Sequence, residues 1–232
     1  MWTGGREDDV HPHLCAMNGW TAIVPIKPCS MRKTRLAGAL DVADRTALTQ
    51  WMLCKVLDVL AATPGVARVQ VLAVEPPPGW SGGWTIDRGR GLNLELDAAC
   101  AAAAGPVMVV FPDLPGLCTG DVTALADAAK GRGIAIAPDR HGRGTNALAL
   151  ASMHGPRGDF RMGFGPQSLA RHSGRAGMRG TLVNRPGLAL DIDTPADLAA
   201  ASAAGWLHGA PEQGLVNPAP TGFHLVAASQ TL

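Results

Sequence analysis

Val107-Met-Val-Val-Phe111 runs without a break into Pro112-Asp-Leu-Pro115. Five consecutive apolar residues, three of them valine, suit a short strand buried on both faces. Proline on either side of Asp113 ends the strand and leaves that carboxylate at its carboxyl end. A carboxylate so placed loses hydration and needs a cation or strong donors. Strands buried on both faces belong to sheets covered by helices on two sides, so the rest of the chain is expected to alternate strand with helix.

It does so in both directions from Val107. Upstream, Trp20–Ile26 reads as a first buried strand, Val42–Ala62 as a long amphipathic helix and Val69–Val74 as a second strand. In the helix, Ala47, Leu48, Trp51, Met52, Val56, Val59 and Leu60 recur at helical spacing, and Pro64-Gly65 stops it. Asn93 is placed to cap a helix over Leu94–Ala103. Downstream, a helix over Asp121–Ala129 precedes strands at Ile134–Ala137 and Ala147–Ala151. A helix near 166–175, strands near 181–183 and 188–190, and a helix over Pro195–Ala204 complete the pattern. The expected fold class is α/β, a mainly parallel central sheet with helices on both faces. One domain spans 20–204, preceded by an arm at 1–19 and followed by a Gly-, Ala- and Pro-rich tail at 205–232.

Composition narrows the function classes. The 232 residues are enough for one well-buried domain, and 47% apolar with 17% charged residues is a globular balance. A net charge of +1 gives nonspecific nucleic-acid binding no support. The longest charge-free apolar stretch, between Asp97 and Asp113, is broken by Gly105-Pro106 and falls short of the ~20 residues of a membrane span. The polar start, Met1-Trp-Thr-Gly-Gly-Arg-Glu-Asp-Asp9, does not read as a signal peptide, so a cytoplasmic location is expected. Five scattered cysteines without a C-x-x-C pair point to reduced thiols rather than disulfides or zinc.

Parallel sheets place ligands at the carboxyl ends of their strands. After the first strand, Lys27, Arg32, Lys33 and Arg35 crowd one loop and repel unless an anion separates them. Asp191-Ile-Asp193 ends a late strand, and aspartates at i and i+2 project the same way from an extended chain. With Asp113 they form a candidate oxygen-rich magnesium site. Thr194, Pro195 and Asp197 also read as an ordinary helix start, which offers Asp193 a structural role instead. Gly142-Arg-Gly-Thr-Asn146 and Phe164-Gly-Pro-Gln-Ser168 remain as candidates. Pro166 and Ser168 would open a helix whose free N–H groups could hold a phosphate or carboxylate. His172 on that helix fits a surface or packing role better than a catalytic one.

In order across residues 20–200 stand Val24-Pro-Ile-Lys27, Lys33-Thr-Arg-Leu-Ala37, Gly91-Leu-Asn93, Asp113-Leu-Pro115, Gly144-Thr-Asn-Ala-Leu148, Phe164-Gly-Pro…Ser168 and Asp191-Ile-Asp-Thr-Pro195. This series resembles the 2-phospho-L-lactate guanylyltransferase family of coenzyme F420 biosynthesis. The resemblance implies a nucleotidyltransferase fold of the glycosyltransferase-A type and transfer of GMP from GTP to a phosphorylated three-carbon acid. The acid would be 2-phospho-L-lactate, phosphoenolpyruvate or 3-phospho-D-glycerate, and the residues do not choose among them. It implies Mg²⁺ on Asp113, Asp191 and Asp193, with the nucleotide near Lys33, Gly91 and Asn93. The acceptor would lie near Lys27, Thr145, Gly165 and Ser168, with Lys33 and Arg35 in the catalytic role. A homodimer is left open. Arg143 stands where the family more often has a small residue, and Gln167 replaces a usual glycine. The rival readings are a metal-dependent glycosyltransferase, a molybdenum-cofactor guanylyltransferase lacking its glycine-rich opening, and a silent nucleotide-binding module.

Overall fold

The structure, a computed structural model, describes residues 19–26, 33–153, 160–177 and 180–211. Seven strands form one sheet: β1 (Trp20–Pro25), β2 (Val66–Ala73), β3 (Gly83–Ile86), β4 (Val107–Val110), β5 (Ile134–Pro138), β6 (Thr145–Leu150) and β7 (Gly180–Leu182). Their order across the sheet is β3-β2-β1-β4-β6-β5-β7. Only β6 runs against its neighbours, pairing antiparallel with both β4 and β5. The expected mainly parallel α/β sheet is therefore found, with one reversed strand inside it.

Strand alternation builds a core on each face. Ala22 and Val24 of β1 and Met108 and Val110 of β4 face one way. There they meet Leu53, Val56, Leu57 and Leu60 of α1 (Val42–Ala62) and Val122, Leu125 and Ala129 of α3 (Thr119–Arg132). Ile23, Val107 and Val109 face the other way, against Leu96, Ala99 and Cys100 of α2 (Leu92–Ala101) and Ala176 of α4 (Ser168–Ala176). A third cluster joins Leu48 and Met52 of α1 to Leu190, Ile192 and Ala201. That cluster fastens α6 (Pro195–Ala203) beside the start of α1. The chain then turns back, and Trp206 lies over Gly116, where a Cβ would meet its ring at 2.5 Å. No helix among the described residues is long and apolar enough to cross a membrane.

Three local expectations need correction. The strand expected near 188–190 is instead a helical turn, α5 (Pro186–Ala189), because Pro186 at N1 starts a helix and the sheet ends at β7. Asn93 does not cap α2; Gly91 does, and Asn93 sits inside the first turn. Strand β3 was not anticipated. It is four residues long, lies at the sheet edge and, among the described residues, pairs only with β2.

Candidate active site

Asp113 follows β4, and Asp191 and Asp193 flank Ile192 on the extended chain between α5 and α6. A backbone bond from the Ile192 N–H to the Asp113 carbonyl, 3.1 Å, locks the two segments together. Ile192 is buried, so its neighbours at 191 and 193 both turn toward Asp113. Oxygens of the three carboxylates lie within 4.8 Å of one another.

Such a cluster requires positive charge. Part of it comes from Lys33, whose Nζ donates to Asp113 Oδ2 at 2.7 Å and to Asp193 Oδ1 at 2.8 Å. Burial pulls the Lys33 pKa down, but the two carboxylates outweigh it and hold the ammonium above its ordinary value. The Lys33 backbone is left-handed at φ +52°, unusual for a residue with a side chain, so its contacts fix it there. Asp191 has a weaker partner, Asn146 Nδ2 at 3.2 Å. Burial, then the charges of Asp113 and Asp193, push its carboxyl up to about 6. An all-oxygen set with one carboxyl so starved of counter-charge fits a hard divalent cation.

Outside the carboxylates the support is built from the loop after β5 and the start of β6. Asp139 accepts from the N–H groups of His141, Arg143 and Gly144, which curls the Arg140–Gly144 loop around it. A Cβ on Gly144 would come within 2.6 Å of Asp139 Oδ2, so this position needs glycine. Asn146 Nδ2 spans the Leu188 and Ala189 carbonyls as well as Asp191. His172 is fully buried. Its Nε2 accepts from the Gly163 N–H at 3.0 Å, so Nδ1 carries the proton and donates to Thr145 Oγ1 at 2.9 Å. Burial, followed by the charges of Arg175 and Arg171, lowers its pKa to about 4. It is a neutral packing residue with both nitrogens in use, as the sequence suggested.

A cavity of about 490 Å³ opens beside the cluster at the carboxyl ends of β1 to β4, and Lys33, Asp113, Asp193 and Gly91 line it. Asn93, two residues further, braces Phe164 by donating to its carbonyl and accepting from its N–H. Phe164 in turn meets Phe111 at 5.0 Å between ring centres. Arg35 is exposed, and Lys27 and Arg32 lie outside the described residues. Thr145 and Ser168 are buried, and neither they nor Gly165 line this cavity. The free N–H groups expected at the start of α4 are not free: Ser168 N–H bonds Gly165 and Leu169 N–H bonds Arg143. Gln167, where the resemblance expects glycine, adopts the left-handed conformation at φ +60° that glycine favours. Asp197 completes the anticipated capping box with Thr194 and also accepts from the Asp193 N–H at 3.1 Å. Its other oxygen pairs with Arg140 at 2.5 Å. Asn146 and Arg140 were missed as supports, since nothing local in their sequence announces partners forty or more residues away. Asp139 was missed although its partners lie within five residues, because a loop aspartate carries no mark of the N–H groups that curl around it.

Solved structures with this fold include a nucleotidyl transferase from Methanothermobacter thermautotrophicus. Its TM-score is 0.57 at 17% identity, over 83% of this chain and 99% of that one. A nucleotide-diphospho-sugar transferase from Desulfovibrio desulfuricans G20 has the same TM-score at 16% identity, over 77% and 84% of the two chains. Among sequence relatives, a phosphoenolpyruvate guanylyltransferase of Sphaerobacter thermophilus is 36% identical over 76% of this chain and 89% of its own. One from Rubrobacter xylanophilus is 35% identical over 79% and 94%. Residues 20–212 match the family described as guanylyl transferase, CofC like. With both the fold and the length of these relatives covered, the chain belongs to the CofC-like guanylyl transferase family.

Proposed function

We propose that the protein transfers GMP from GTP to the phosphate of a three-carbon phosphorylated acid in coenzyme F420 biosynthesis, with Mg²⁺ as cofactor. The observation that carries this reading is the cluster of Asp113, Asp191 and Asp193 with Lys33 at the mouth of one cavity. Phosphoenolpyruvate is the first acceptor to test, because the relatives named above bear its name. The catalytic unit is the domain from 20 to 204, acting in the cytoplasm.

A phosphate oxygen of the acceptor forms a bond to the α-phosphorus of GTP, and the bond from that phosphorus to the β-phosphate bridge oxygen breaks. Pyrophosphate leaves with the electron pair. A phosphate monoester has its second pKa near ~6, so the nucleophile is already charged at neutral pH and no general base is needed. The neutral, doubly bonded His172 agrees with that. Two mutually repelling anions must instead be aligned and their charge balanced. Asp113, Asp191 and Asp193 would hold the magnesium, which would supply positive charge for phosphate oxygens. Lys33 and the exposed Arg35 supply the remaining cations on the nucleotide side, with Gly91 in its wall and Asn93 behind it, bracing Phe164. The acceptor side is assigned to the region of Thr145, Gly165 and Ser168, which stand behind the cavity wall and shape it indirectly, with Lys27 from outside the described residues.

Pyrophosphate release from GTP and Mg²⁺ with phosphoenolpyruvate, 2-phospho-L-lactate and 3-phospho-D-glycerate in parallel tests the proposal. One of the three should react. Turnover with a sugar phosphate and none of the acids would overturn it.

A further inference from the structure

We propose that Asp87 reads the guanine base; the inference rests on the guanylyl-transfer reading above and names the residue that makes it guanine-specific. Asp87 directly follows β3 and lines the same cavity as Lys33, Asp113 and Asp193. In the order β3-β2-β1-β4, its strand lies three places from the one that delivers Asp113. At ~4.8 Å per strand the two strand ends stand ~14 Å apart. With metal and phosphates at the β4 end, the part of a nucleotide furthest from its α-phosphate falls at the β3 end. That part is the base.

Asp87 is held in place yet open. Its N–H bonds the Ala73 carbonyl at 2.9 Å, and its Oδ1 accepts from the Gly89 N–H at 2.8 Å. A carboxylate has about four acceptor positions, and among the described residues Oδ2 takes no hydrogen bond. The cavity's other two acids are paired with Lys33, whereas Asp87, among the described residues, is in no ion pair: it accepts the Gly89 N–H and attracts the Arg90 guanidinium through space, and Oδ2 stays open. The next turn is rigid, because Arg90 donates to Glu95 through both its guanidinium and its backbone N–H. Gly89 and Gly91, at φ +77° and +102°, keep side chains out of the space beside Asp87. Val74, 53% exposed, lines the cavity with Pro25 and Leu92 and offers an apolar wall to a planar ring.

The chemistry of the bases decides what this site selects. Guanine alone presents two adjacent donors, N1–H and the 2-amino group, on its pairing edge. Adenine and cytosine present a donor beside an acceptor, and uracil has one donor between two carbonyls. A carboxylate accepts the guanine pair in parallel, in charge-assisted bonds. Against any other base at least one of its oxygens faces an acceptor or nothing.

The test is calorimetric binding of GTP, ITP and XTP, each with Mg²⁺ and without acceptor, to the wild-type protein and to Asp87→Asn. ITP lacks the 2-amino group, and XTP replaces it with a carbonyl. The wild type should bind GTP tenfold to a hundredfold more tightly than ITP, the worth of a hydrogen bond to a charged group. Asp87→Asn keeps an oxygen for Gly89 N–H and for N1–H but turns an amide donor toward C2. GTP should weaken by a similar factor and XTP should overtake it. Wild-type affinities for GTP and ITP within twofold of each other, or an Asp87→Asn protein that still prefers GTP to XTP, would overturn the assignment. Because no acceptor is present, a switch from GTP to XTP upholds Asp87 as base reader even if none of the phosphorylated acids is turned over. Turnover of an acid with unaltered base preference in the variant sinks this inference and spares the transfer reading.

Discussion

Lys33 occupies the position a metal ion would contest, and its removal should be felt first in metal binding. Its ammonium contacts two of the three carboxylates at 2.7 and 2.8 Å, and its side chain is only 7% exposed. In Lys33→Met the stem remains and the charge goes. A unit charge at 4 Å in surroundings of effective dielectric near 20 is worth ~4 kcal/mol. If a third of that survives solvent screening, ~1.4 kcal/mol remains, a factor of ten in affinity. Nucleotide-free Lys33→Met should therefore bind Mn²⁺ about tenfold more tightly than the wild type, read by titration with the paramagnetic ion. Without metal its melting temperature should fall, since three carboxylates then face one another, and Mn²⁺ should restore it. Turnover should drop by at least about a hundredfold, because the same charge serves the transition state. Unchanged or weaker Mn²⁺ binding would refute the argument that Lys33 holds the metal's place.

Asp191→Asn and Asp113→Asn should each lower turnover by about two orders of magnitude or more, and the double variant should cost little beyond either, because the two serve one ion. A fully active Asp191→Asn enzyme would remove the metal assignment. Asp197→Asn weakens bonds to the Asp193 and Thr194 N–H groups and to Arg140, so thermal unfolding should reveal ~1–3 kcal/mol lost. Turnover should fall with it, less than in Asp191→Asn, through the slackened Asp193 backbone. His172 has a native pKa of about 4 against an ordinary 6.5, so the unfolded chain takes up its proton first. Its contribution to stability is complete above pH 6.5 and is lost as the pH falls toward 4, by up to ~1.4 kcal/mol per pH unit. Denaturant titrations of His172→Gln should show a shallower slope in that window.

What the sequence disclosed depended on how local each signal was. The run at Val107–Phe111 and the helical spacing across Val42–Ala62 state their burial within a few residues, and both elements form there. Asp113 was legible because prolines and a strand end mark it; Asp191 and Asp193 were legible from their i, i+2 spacing before Pro195, although the strand expected ahead of them is a helical turn, and the three do meet. Gly83-Trp-Thr-Ile86 carried no such mark: two of its four residues are exposed, and one neighbour, β2, makes it a strand. Asn93 looked like a cap because its type favours that position, but the Phe164 backbone offers its amide both a donor and an acceptor. Leu188–Leu190 read as a strand on hydrophobicity alone, and the proline at 186 prevailed. The partners of Asn146 and His172 are made by tertiary packing, so residue type could hint at burial but not at what is held.

The bonds from Lys33 to Asp113 and Asp193 join residues 80 and 160 positions apart. Contacts of that span are among the last a folding chain secures, because each closes a long loop before it gains anything. Until α6 and the extended chain before it dock through Ala201 and Ile192, Asp113 lacks the backbone bond and the two carboxylates that complete its cluster. A chain stalled with β1 to β4 already paired would thus look well ordered by its sheet and still be inert. For this protein, recovery of activity after refolding reports the closing of a loop of 160 residues, and a purely spectroscopic measure of secondary structure would announce completion too early.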